Sequence, residues 1–372
     1  MGLKVYSSTL DICNLNLDCI RRALDCVPAD NICGVAFCGT TIAVSYHNLL
    51  ENLKSLVYDS LGHKVPVTLI PQYLLPKGGL SLEIYTLDED AGLKIGEQNN
   101  ICYAHIENDE GCTLIIEGIP STNFSDSVHK QSEEILEKLD NILSSFGFSV
   151  DDIVRQWNYI GNIVSYRNGK QNYQEFNDAR SRYYAQGDWH NGYPAATGIG
   201  ISSEGIIVSG IAFKKASQAS KGVFPIDNPL QVAAHVYSKS VLIDNDLNAV
   251  KSTPKFERAK LIETKGGAYC FVSGTAAIRG EQSIDSTSAK EQTIMTIENI
   301  EHLVSKENLM RYGCKAYDLK YTKLHIFIKN SEDYEQVKAV AEQAYPHLPI
   351  VYTVADVCRS ELLVEIEGIL IS

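Results

Sequence analysis

The chain has 372 residues, of which 44% are hydrophobic and 21% charged, and a formal net charge of −13. That balance fits a folded protein of two ordinary domains, and it lacks the Lys/Arg surplus with which nucleic-acid binders displace counterions from phosphates. No apolar run approaches the roughly 20 residues of a membrane helix, and the start, "MGLKVYSSTLDI", lacks the basic-then-apolar order of an export signal; a cytoplasmic protein without membrane or nucleic-acid partners is expected.

Residues 1–98 hold strand-like "NICGVAFCGTTIAVSYH" (31–47) and "LSLEIYTL" (80–87), expected as extra strands of a first domain. Five of the ten cysteines fall early, at Cys13, Cys19, Cys26, Cys33 and Cys38, with no C-x-x-C pair among them. That spacing suits buried reduced thiols better than a metal or disulfide framework, so no metal and no cofactor is expected. "NNICYAHIENDEGCTLIIEGI" (99–119) reads as a hairpin turning at Asn108, Asp109 and Gly111. A helix over 125–147 follows, with Val128, Ile135, Leu139 and Ile142 at helical spacing, Ser125 as N-cap and Gly147 closing it. A strand (151–163), an amphipathic helix (172–187) and two strands (194–214) complete this stretch.

The small, polar, Gly- and Pro-containing segment 216–231 is the expected boundary between domains 1–215 and 216–372. Beyond it the same order returns: a hairpin at 255–280 turning on "KGG", a helix at 288–306, a strand at 321–330, a helix at 331–346 capped by Ser331, and closing strands at 349–358 and 361–371. Both copies run ββ-α-β-α-ββ, which gives an α+β layer: a mixed sheet with two helices packed on one face and the other face free to pack or bind. In the last strand, "LLVEIEGI", Glu365 and Glu367 share one face with Leu363, shortly after Arg359.

The second copy resembles the Rid (YjgF-like) family of reactive-intermediate deaminases through "SGTAAI" (273–278), "TIENIEHLV", "YTKLHIFIK" and, above all, Arg359 followed by "VEIEGI". The first copy resembles a degenerate Rid unit, with Ala196 near the expected arginine and "IIVSGIAF" in place of the glutamate strand. A duplicated Rid fold divided in this way resembles the chorismatases, as do "RQWNYIGNI" (155–163), "YQEFNDAR" (173–180), "PAATGIG" (194–200), "NPLQVAAHVY" (228–237) and "TPKFERA" (253–259). The chain departs from that pattern in "SKSVLIDNDLNAV" (238–250) and at Glu281, where a histidine is usual.

The resemblance implies chorismate as substrate and release of pyruvate from its enolpyruvyl ether. Such chemistry needs an acid held protonated near neutral pH, and cations or N–H donors for two carboxylates. Glu365 is the expected acid, its proton retained by burial. Arg359 is the expected carboxylate clamp, with Arg258 as a second. Tyr237 is a hydrogen-bond donor to the substrate, and Gly274, Thr275 and Ala276 offer backbone N–H groups where glycine permits close approach. Cys358 and Ala276 occupy the positions that, in the family, decide the product: Cys358 leans towards 3-hydroxybenzoate and Ala276 towards a dihydroxycyclohexadienoate, and both stay open. The alternatives are a Rid-type deaminase of small amino-acrylate-like imines, or a non-catalytic binder of aromatic acids. Rid proteins trimerise around clefts between neighbours; here the first copy would supply one neighbour covalently, and the chain would be a monomer or a homo-oligomer, a trimer included.

Overall fold

Three mixed β-sheets bury their apolar faces against one another. The computed structural model describes residues 3–10, 17–40, 45–87, 92–167, 169–216, 222–238, 241–242 and 252–372. The chain opens with β1 (Leu3–Leu10), α1 (Leu17–Leu24), β2 (Ile32–Thr40), α2 (Tyr46–Leu61), β3 (Val67–Ile70), the two-residue β4 (Tyr73–Leu74) and β5 (Gly79–Leu87). Four of these strands pair in the order β1-β5-β2-β3. The stretches read as extra strands of the first domain thus build a sheet of their own, with its own core of Leu49, Leu53 and Val57 from α2 against Phe37, Val67 and Leu82. Ser45 caps α2 by accepting the Asn48 N–H, and Gly62, at φ 75°, ends it in the left-handed conformation that glycine adopts without strain.

The middle sheet contains β6 (Leu93–Gln98), β7 (Ile101–Asn108), β8 (Gly111–Pro120), β9 (Ile153–Gly161), β12 (Ala195–Ile201) and β13 (Ile206–Lys215), in the order β12-β9-β13-β8-β7-β6. Helix α3 (Val128–Ser145) and helix α4 (Asn172–Tyr184) cover it, and β10 (Tyr166–Arg167) and β11 (Lys170–Gln171) form a small hairpin between β9 and α4. The cap of α3 is Ser127, which accepts the Lys130 N–H, two residues later than the expected Ser125. Ser125 instead donates its hydroxyl to Asn123 Oδ1.

The third sheet gathers β14 (Val223–Ile226), β15 (Ala259–Thr264), β16 (Gly267–Ala276), β19 (Lys320–Ile328), β20 (Ile350–Val354) and β21 (Val364–Ile371), and β4 from the N-terminal segment closes its far edge. Residues 217–221, within the expected boundary, lie outside the described residues, while β13 and β14 on either side belong to different sheets. The short hairpin β17 (Ile278–Arg279) and β18 (Gln282–Ser283) precedes helices α5 (Ala289–Val304), α6 (Lys306–Arg311) and α7 (Tyr334–Ala344). Ser331 opens a short 3₁₀ turn before α7 and does not cap it.

The shared core draws Leu3, Cys33 and Leu87 from the first sheet, Ile106, Trp157 and Ile211 from the second, and Phe271, Phe327 and Ile369 from the third. Charges are buried there too. Lys323 of β19 donates to Glu83 of β5, which also accepts from Tyr85 Oη at 3.0 Å. Removing one partner of such a pair strands the other in a low-dielectric interior. Lys323→Met is therefore expected to cost about 3–5 kcal/mol of stability in urea unfolding, and Glu83→Gln/Lys323→Met to regain most of it. An equal loss in the double variant would show that charge pairing is not what holds this junction.

Candidate active site

Between the second and third sheets lies a cleft enclosing about 710 Å³ of space, part of it open to solvent. Glu365 of β21 forms its floor, and Arg258, Tyr237, Gly274, Ala276, Cys358 and Arg359 also line it. Of the site residues expected from sequence, seven therefore meet in one hollow. Thr275 is the exception. Strand alternation turns its side chain away, and Thr275 Oγ1 donates to the Ser273 carbonyl at 2.9 Å. Of the three N–H groups expected to be free, that of Gly274 is donated to Thr197 Oγ1 at 3.0 Å, while Thr275 and Ala276 stand in ladder register with Ile366 and Glu365.

Glu365 is 4% exposed, and its carboxyl makes no hydrogen bond among the described residues. Burial, reinforced by the neighbouring Glu367 charge and opposed by Arg155 and Arg258, pushes its carboxyl up to about 8. That favours the protonated form at neutral pH. Its carboxyl lies directly over Gly274: a Cβ there would sit 2.0 Å from Glu365 Oε1. Burial likewise pushes the Cys358 thiol up to about 12, which makes it a neutral wall rather than a thiolate.

The two arginines share one tyrosine. Arg258 and Arg359 lie 5.6 and 5.3 Å from the centre of the Tyr237 ring. Arg258 Nη2 donates to Tyr237 Oη at 2.5 Å and to the Val232 carbonyl at 2.8 Å, and the phenol proton has no acceptor among the described residues. Arg359 Nη1 donates to the Glu281 carbonyl at 3.0 Å and to Ser283 Oγ at 3.2 Å. Among the described residues neither guanidinium has a carboxylate partner; Glu361 accepts from Ser283 Oγ instead. Glu281 braces the site, since its carboxylate accepts the Ser238 N–H at 2.7 Å, immediately after Tyr237. Most of the other departure, 238–250, lies outside the described residues.

Sequence reasoning missed the wall contributed by the middle sheet: Tyr173, Gln174 and Asn177 of α4 and Ala196 and Gly198 of β12. Helical periodicity cannot say which buried position of α4 opens onto a cavity. Ala196 needs correction. It lies inside β12 and lines this cleft, whereas the segment joining β12 to β13, Ser202–Gly205, has no arginine.

The first and second sheets meet in a degenerate version of the same junction. There Gly118 N–H is donated to Thr68 Oγ1 at 2.8 Å, and a Cβ on Gly118 would stand 2.9 Å from Ile207 Cγ2. Gly118, Thr68 and Ile207 thus repeat Gly274, Thr197 and Glu365, with an apolar side chain where the acid would be.

Sheets of one plan fused around a common core, with one acid-and-arginine cleft between two of them, define a fused Rid-like protein. Residues 83–212 match the chorismatase FkbO/Hyg5-like N-terminal family, and residues 251–371 match the endoribonuclease L-PSP family. A Streptomyces hygroscopicus protein named 3-hydroxybenzoate synthase is 31% identical over 321 residues, covering 84% of this chain and 87% of that protein. A Streptomyces rapamycinicus protein named chorismatase is 28% identical over 236 residues, covering 62% of this chain and 66% of that protein. A crystal structure of a chorismatase shares the fold over 99% of this chain and 98% of that one, with a TM-score of 0.72 at 20% identity. The chain belongs to the chorismatase family. Among the described residues no helix is long and apolar enough to cross a membrane, and no group of three or more His, Cys, Asp or Glu is placed to hold a metal ion.

Proposed function

We propose that the chain cleaves the enolpyruvyl ether of chorismate and releases pyruvate, with Glu365 as the acid. The observation that carries this reading is a buried carboxyl, pushed up to about 8 by that burial, in one cleft with two guanidiniums that lack carboxylate partners among the described residues. Chorismate is a dianion, so Arg258 and Arg359 each take a carboxylate, and Tyr237 donates to a carboxylate or the ring hydroxyl. Glu365 gives its proton to the terminal methylene carbon, and the resulting oxocarbenium is captured by an oxygen. A single-carboxylate imine, the substrate of the Rid-type alternative, would leave one arginine unused.

Capture by a neighbouring substrate oxygen yields a hydroxybenzoate plus pyruvate with no water consumed. Capture by water gives a dihydroxycyclohexadienoate instead. The thiol of Cys358 and the relative named 3-hydroxybenzoate synthase favour the hydroxybenzoate. Incubating the protein with chorismate, following pyruvate with a coupled assay and weighing the ring product tests both parts: the two products differ by one water. No pyruvate above a Glu365→Gln control would refute the reading.

Arg359→Lys keeps the charge and loses the planar fork, along with the fixed bond to the Glu281 carbonyl. KM for chorismate is expected to rise roughly 10–100-fold, the worth of one charged hydrogen bond, with a smaller change in kcat. An unchanged KM would remove Arg359 from the clamp.

A further inference from the structure

The two carboxyls of β21 project into different hollows. Glu365 faces the cleft, while Glu367 lines a second cavity at the junction of all three sheets, beside Trp157, Lys323 and His325. Glu367 is buried, at 3% exposed. Its carboxylate collects three donors: Arg155 Nη2 at 2.6 Å, Trp157 Nε1 at 3.1 Å and Thr197 Oγ1. Glu365, two residues away, collects none among the described residues. Thr197 joins the two, because the hydroxyl that donates to Glu367 also accepts the N–H of Gly274, the residue beneath the Glu365 carboxyl.

We propose that Glu367 is a positioning residue: ion-paired with Arg155 and bonded to Trp157 and Thr197, it keeps the single proton of this carboxyl pair on Glu365. The proposal rests on Glu365 being the acid. Burial of a carboxyl that makes no hydrogen bond among the described residues favours its neutral form, and a negative charge close by adds to that preference. Arg155 would otherwise do harm. It is 2% exposed, and without Glu367 its charge would act unopposed on Glu365 and draw off the proton. Against Glu365 also stand Arg258 before β15, Cys358 and Arg359 on the loop before β21, Tyr173 on α4 and Tyr237. Of these described groups, only Arg258 and Arg359 carry charge at neutral pH, and both are positive. Glu367 is therefore the one described negative charge that holds the proton in place.

The experiment titrates Glu365 by the infrared carboxyl stretch that Glu365→Gln removes, and in parallel follows the alkaline limb of kcat/KM. Glu367→Gln is expected to move both to lower pH by about one unit or more, a tenfold shift in proton affinity. Arg155→Gln is expected to move both to higher pH, and Glu367→Asp to restore the wild-type titration. Opposite shifts from the two halves of one ion pair cannot come from general damage, and either variant suffices if the other does not fold. A titration that moves in neither, or in the same direction in both, overturns the proposal. The infrared arm needs no turnover, so an absence of pyruvate would count against Glu365 as an acid for chorismate without deciding the role of Glu367.

Discussion

Glu365→Gln should abolish most pyruvate release, with kcat falling by roughly 10²–10⁴-fold, the usual worth of a positioned general acid, and KM little changed. The amide keeps the shape and loses the proton, while Arg258, Arg359 and Tyr237 still grip the substrate. The same variant should be more heat-stable than the parent, for a reason with a definite sign. The Glu365 carboxyl is held up to about 8 in the folded chain and has its ordinary, lower value when unfolded. Between those values the folded state binds the extra proton, so wild-type stability declines as pH rises through that window and levels off above about 8. Glutamine has no proton to lose. The gain in Tm from Glu365→Gln should therefore be small in mild acid, grow towards pH 8 and then stay constant. Wild-type kcat/KM should lose tenfold per pH unit above that value, as the acid ionises. A variant that keeps its kcat, or a wild type that works undiminished well above pH 8, would mean that another group delivers the proton.

The repeated ββ-α-β-α-ββ order is readable because its elements carry their own local signals: turns at Gly111 and Gly267, and apolar spacing in α3 and α5. The N-terminal sheet was not recognised as separate, although α2 has Leu49, Leu53, Leu56 and Val57 on one face between Ser45 and Gly62. Strand patterns alone do not name their partners, and the choice between joining the neighbouring sheet and forming another is made by long-range pairing. The same divide runs through the site. Arg359 and Glu365 stand close together in a recognisable run, whereas the clasp on Glu367 comes from Arg155, Trp157 and Thr197, each about 170 or more residues distant. A Glu-x-Glu strand looks alike whether its second carboxylate is solvated or locked in the core.

Gly274→Ala should separate catalysis from stability more sharply than any change to a charged residue. The backbone at Gly274 does not lie in the left-handed region, so alanine meets no conformational strain there. The added methyl instead falls 2.0 Å from Glu365 Oε1 and 3.2 Å from Thr197 Cγ2. The nearer obstacle is the far end of a flexible side chain that holds no hydrogen bond among the described residues, so it can swing aside at small cost to the fold. It cannot do so and stay in line with the substrate methylene. A displacement of about 1 Å in a reacting group costs on the order of 10²-fold, and kcat should fall by at least that much while Tm stays close to wild type. Gly118→Ala provides the control, because its methyl would press on Ile207 Cγ2 and Thr68 Cγ2, both at 2.9 Å, in the junction without an acid. Branched side chains have less room to yield, so Gly118→Ala should lower Tm and leave kcat of the folded protein unchanged. If Gly274→Ala kept full activity, the carboxyl above it would not be the group that acidifies the enol ether, because no proton donor can lose its place and keep its rate.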